Sequence, residues 1–126
     1  MSALHFHGVS ARRGQRLVLD GISARVPSGH LTAVIGPNGA GKSTLLDITS
    51  GLKRPVQGSV ELDGKDLHRL GRRELAKLRA YLPQRAGVDW PITVERVVAL
   101  GLTPALPAFG TIPSALLPAI DDALLA

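Results

Sequence analysis

The 126 residues contain no cysteine, which excludes both a disulfide framework and a thiolate metal site and is compatible with a reducing compartment. Aromatic residues make up only 3% of the chain, so the stacking platforms used to bind nucleic-acid bases are nearly absent. The N-terminus, MSALHFHGVS, lacks a basic stretch followed by a long apolar core and does not read as a secretory signal; the default expectation is a cytoplasmic location. From Val97 to Ile120 there is no charged residue, a length that would suffice to span a bilayer. Pro104, Pro107, Pro113 and Pro118 fall inside it, however, and would strand backbone carbonyls in lipid, so a membrane helix is not expected.

Lysine and arginine exceed aspartate and glutamate by 15 to 10, and the pI is about 10.5. The basic residues are scattered: Arg12, Arg13, Arg16 and Arg25 near the start, then Lys65 to Arg85 interleaved with Asp66, Glu74 and Leu75. That pattern reads as solvated faces, with no nucleic-acid partner. At 44% hydrophobic content a packed core is affordable, and the length suits one domain or part of one.

The first half reads as short strands separated by turns. LHFHGVS and GISARV alternate apolar and polar residues, with Ile22, Ala24 and Val26 on one face, as in half-buried antiparallel strands. His5 and His7 share one face of such a strand; with no third ligand apparent, and no metal-like spacing to His30 or His68, they read as ordinary strand residues. LTAVI, residues 31–35, is apolar almost throughout and predicts a strand buried on both faces of a parallel sheet. After the glycine-rich loop, KSTLLDITSG predicts a helix ending at Gly51. GSVELDG predicts a strand with an Asp63-Gly64 turn. An amphipathic helix is expected over residues 72–79, with Leu75, Leu78 and Leu82 facing a core. VERVVALG is a further helical candidate, and Trp90 reads as a packing residue.

Gly36-Pro37-Asn38-Gly39-Ala40-Gly41-Lys42-Ser43 fits GxxxxGK(S/T). A loop wrapping a phosphate must turn successive backbone N–H groups inward, which needs unusual backbone angles and close approach; Gly36, Gly39 and Gly41 stand where side chains would intrude. The following helix adds the positive end of its dipole. Lys42 is placed to reach β- and γ-phosphates, Ser43 to offer its hydroxyl to magnesium, and Thr44 to hold another phosphate oxygen. A strand before and a helix after the loop supply the context that separates this pattern from a chance glycine-rich turn.

GPNGAGKSTLL resembles the Walker A motif of ABC transporter ATP-binding subunits, and the likeness continues through VLDGIS, GLKRPVQGSVELDG, YLPQ and ITVERVVALG, collinear over about residues 4–102. The resemblance implies an α/β fold: a P-loop NTPase (ABC ATPase) core with an N-terminal antiparallel β portion, truncated in the helical subdomain. Residues 1–85 would carry the β portion and P-loop core up to the Q-loop, and residues 86–126 the incomplete start of the helical subdomain. It further implies that Gln84 is the Q-loop glutamine, reaching magnesium and the attacking water. Arg13 stands where the family stacks an aromatic ring on adenine. A guanidinium plane can also stack on a base, the alternative being an exposed turn residue. Val18 is a second candidate for packing against the base.

The family also requires an LSGGQ-like signature, a Walker B strand ending in Asp-Glu, and a switch histidine. None is present: Pro118 interrupts LLPAIDD, and all four histidines precede Gln84. The expectation is therefore an ATP-binding part of an ABC transporter ATPase subunit, the N-terminal part of a longer protein or a truncated product. It would hold Mg-ATP and energise transport, of a metal chelate or metal, in company with transmembrane permease subunits and a second ATP-binding subunit at the inner face of the plasma membrane. Iron-siderophore, heme and cobalamin importers and zinc and manganese importers are both resembled. Hydrolysis by these residues alone is not expected. The alternative is a non-catalytic nucleotide-binding or interaction module.

Overall fold

A computed structural model describes residues 3–84, 87, 89–106 and 111–126. The chain divides into two compact units, residues 1–79 and 80–126.

The first unit is built on an antiparallel sheet of order β2-β1-β3-β4, formed by β1 (Leu4–Arg13), β2 (Arg16–Val26), β3 (Gln57–Leu62) and β4 (Lys65–Asp66). The β1–β2 hairpin closes at Gly14–Gln15, with Arg13 opposite Arg16; Gly14 takes a φ of 61° that glycine adopts without steric cost. Between β3 and β4, Asp63 (φ 52°) and Gly64 (φ 77°) both occupy the left-handed region, as the expected Asp-Gly hairpin turn requires.

Helix α1 (Lys42–Thr49) follows the loop expected to bind phosphate. It ends as a Schellman motif: Gly51 N–H donates to the Ile48 carbonyl at 3.0 Å and Leu52 N–H to the Asp47 carbonyl at 2.9 Å, with Gly51 at φ 73°. Ile48 is fully buried and joins Phe6, Val9, Ala11, Leu19, Val60, Leu62, Leu67 and Leu75 in one core between the sheet and helices α1 and α2 (Arg72–Leu78). That core anchors α1, and with it the loop that opens onto the helix.

Three expectations are overturned. Residues 31–35 form no strand: Leu31 and Ile35 are 102% and 89% exposed. A strand needs a neighbour to take its N–H and C=O groups, and all ladders among the described residues are antiparallel pairings within β1–β4, so LTAVI has nothing to pair with. Of the three leucines expected to face a core, Leu75 is buried but Leu78 and Leu82 are exposed. The reason is length: α2 stops at Leu78, and Arg79 turns to extended angles (φ −140°, ψ 150°), breaking the 3.6-residue period before Leu82. Trp90 is 61% exposed, and neither it nor its described neighbours Asp89 and Pro91 lie in a helix or strand.

The second unit carries α3 (Val94–Ala99), capped by Thr93 Oγ1 accepting from Arg96 N–H, which runs on as a 3-10 helix over Leu100–Ala105. A 3-10 turn at Ser114–Leu116 leads into α4 (Leu117–Leu125). Pro118 lies in the first turn of α4, where its missing N–H costs no helical bond. Among the described residues, Ala99 and Ile120 are buried here. No helix among the described residues is long and apolar enough to cross a membrane.

Candidate functional site

The candidate site is the loop of residues 36–41 and the first turn of α1. Two contacts shape it. Gly41, the N-cap, sits at φ 91° against β2: a Cβ there would lie 2.6 Å from the Val18 carbonyl oxygen and 2.8 Å from Leu19 Cδ2. Only glycine fits both the angle and the space, so the loop's exit is fixed against the hairpin. Lys42 then folds back over the loop, its Nζ donating to the carbonyls of Gly36 and Pro37, each at 2.7 Å. An ammonium has three donors, so two hold the loop closed and one is left for an external acceptor.

The electrostatics point the same way. Gly41 supplies no side-chain cap, so the N–H groups of the first turn of α1 are not satisfied by a capping oxygen. The first turn of α1 carries no acidic residue to oppose the helix dipole or the Lys42 charge. Residues 36–40 are all exposed; Pro37 and Ala40 close a turn, Ala40 N–H donating to the Pro37 carbonyl at 3.2 Å. A helix start without a side-chain cap, a preorganised ammonium and open access are features that suit a phosphate chain.

Ser43 is exposed in the first turn of α1 and Thr44 beside it is half-buried. A hydroxyl oxygen is a suitable ligand for a hard cation. Among the described residues no three His, Asp or Glu side chains are grouped to hold a metal.

Of the other residues singled out in the sequence, Val18 is half-buried, packed on the core, and presents its carbonyl to Gly41. Arg13 is exposed at the tip of the β1–β2 hairpin in the same unit. Gln84 is exposed at a bend in the second unit. What sequence reasoning missed is the backbone part: the carbonyls of Gly36, Pro37 and Val18 carry no residue-type signal, since any residue offers one.

A strand-side wall, a glycine-rich loop closed by its own lysine and an uncapped helix start define a P-loop nucleotide-binding protein. Residues 19–120 match the ABC transporter family, and the chain belongs to that family. It is similar to the hemin import ATP-binding protein HmuV of Bradyrhizobium diazoefficiens, at 48% identity over 74% of this chain and 35% of the relative. The cobalamin import ATP-binding protein BtuD of Halobacterium salinarum is 44% identical over 75% of this chain and 24% of the relative. Among solved structures, a nucleotide-free ATP-binding cassette from an ABC transporter superposes with a TM-score of 0.56 and 35% identity, over 62% of this chain and 31% of that one. The fold is accordingly that of the N-terminal portion of an α/β P-loop ABC ATPase. The chain spans about a third or less of the length of these relatives.

Proposed function

We propose that this chain is the nucleotide-binding part of an ABC transporter ATPase that binds Mg-ATP through residues 36–44 and supplies the energy for import of a metal chelate such as heme or cobalamin, or of a metal. The observation that carries the reading is the Lys42 ammonium held over the loop by two carbonyls with its third donor free. The relatives, named for hemin and cobalamin import, support the substrate class. In this reading Lys42 takes the β- and γ-phosphates, Ser43 and Gln84 take magnesium, and Gln84 orients the attacking water. Thr44 takes a further phosphate oxygen, while Arg13 and Val18 face the base. Residues 1–85 form the P-loop portion and 86–126 the beginning of a helical subdomain.

Hydrolysis needs a carboxylate to order the magnesium shell and a partner subunit to complete the site. The working form is thus a head-to-tail pair of ATP-binding subunits docked on transmembrane permeases at the inner face of the plasma membrane. By itself the chain binds without turnover. A second reading, a nucleotide-binding or interaction module that never turns over, is favoured by the unpaired apolar segment 31–35.

The test is fluorescent ATP binding to the purified chain with and without magnesium, comparing wild type with Lys42→Ala. Magnesium-dependent binding reduced at least tenfold by the substitution is expected. Binding that survives Lys42→Ala unchanged would refute the site, and phosphate release at the family's rates by the isolated chain would refute the reading of binding without turnover.

A further inference from the structure

The face of the sheet turned away from the core carries a second group of side chains, unconnected with the nucleotide loop. Along β1 the buried Phe6 alternates with His5 and His7, whose rings stack with centroids 6.2 Å apart at 26°. Along β3 the buried Val60 and Leu62 alternate with Ser59 and Glu61. The register sets Glu61 directly opposite His5, and Glu61 Oε2 lies 3.3 Å from His7 Nε2. Two imidazoles and a carboxylate from neighbouring strands therefore share one face, linked in pairs through His7. The side chains of His7 and Glu61 are 52% and 37% exposed, within reach of a solvent-borne ion.

We propose that His5, His7 and Glu61 form a surface site for a borderline divalent transition-metal ion such as Zn2+, Ni2+ or Cu2+, completed by water. Imidazole nitrogen with one carboxylate oxygen is the donor set these ions prefer, whereas magnesium and calcium prefer oxygen alone. Two ligand atoms bound tetrahedrally at about 2.0–2.1 Å from zinc lie about 3.3 Å apart. The His7–Glu61 pair already has that spacing. No three such groups converge among the described residues as they stand, and the obstacle is His5, whose ring lies stacked on His7 instead of aimed at a shared point. Rotation of the half-buried His5 side chain is the rearrangement that binding demands. Asp66, opposite Glu61 on β4, and Arg25, opposite His5 on β2, flank the site on either side.

Calorimetric titration of Zn2+ into the full chain should show one ion bound with micromolar affinity. His5→Ala and His7→Ala should each weaken it at least tenfold and Glu61→Gln several-fold. All three positions lie on the outer face of the sheet, so far-UV circular dichroism should match wild type. As an independent reading that needs no variant, substoichiometric Cu2+ should broaden the imidazole NMR signals of His5 and His7 before those of His30 and His68. The proposal is overturned if binding is not saturable below the millimolar range, if both histidine variants bind as wild type does, or if His30 or His68 broadens first.

Discussion

Single residues decide whether the loop can form at all. At Gly41 a methyl group would sit 2.6 Å from the Val18 carbonyl oxygen at a φ of 91°. An L-residue there must shift either the helix start or the hairpin. Gly41→Ala should cost about 1–3 kcal/mol of stability and abolish nucleotide binding together. Lys42→Ala, which removes the ammonium and its two contacts with the loop carbonyls, should weaken binding at least tenfold with the melting temperature changed by no more than a few degrees, and paired thermal melts and nucleotide titrations separate the two. His68 offers a pH-dependent effect of a different origin. Burial pushes its imidazole below the ordinary value of 6.5, Asp66 opposing and Arg54 reinforcing the shift; its Nε2 is buried without a hydrogen-bond partner among the described residues. A folded-state value below the unfolded one means that the unfolded chain binds more protons as the pH falls. The stabilisation is therefore complete above about pH 6.5 and declines as the pH drops from there towards the folded-state value. His68→Asn should flatten the fall in melting temperature between pH 7.5 and pH 5.5; an unchanged slope would remove His68 as its source.

At the scale of elements, what was legible in the sequence was whatever the local chain decides by itself. The Asp63-Gly64 turn follows from residues that tolerate positive φ, the end of α1 from Gly51, and the alternation of β1 from the period of a pleated strand. The loop's turns were legible because Gly36, Gly39 and Gly41 adopt positive φ without steric cost, though the carbonyls that grip Lys42 were not. LTAVI could not be read correctly, because β-propensity describes how a segment fits into a sheet and does not provide the neighbouring strand. The His7–Glu61 contact was equally hidden, since 53 intervening residues give no hint that β1 and β3 pair in that register. The exposure of residues 31–35 has a measurable consequence. Ile35→Thr removes no buried contact, so the melting temperature should stay within the change expected for about 0.5 kcal/mol, whereas Ile48→Ala, in the core, should cost about 2–5 kcal/mol. If Ile35→Thr destabilises as a core substitution does, residues 31–35 are packed in solution after all.

Across the whole molecule, burial is unevenly distributed, and this bears on which part can act independently. The nine clustered core residues, from Phe6 to Leu75, all belong to the first unit, which also holds the candidate nucleotide loop; among its described residues the second unit buries Ala99 and Ile120. Stability follows buried apolar surface, and opening free energies within one chain range from near zero to the global value. Native-state hydrogen exchange should therefore divide the chain: amides of β1 and β3 should be protected at least a hundredfold more than those of α3 and α4. Because Gly41, Lys42 and their partners Gly36, Pro37 and Val18 all lie on the protected side, the phosphate seat should persist when the helical unit has opened. Gln84 lies on the other side of that division, so any magnesium-dependent gain in affinity that it contributes should be the first part of binding lost on warming, before affinity for the nucleotide itself. Equal protection of both units, or simultaneous loss of the two binding increments, would show that the chain opens as one cooperative body.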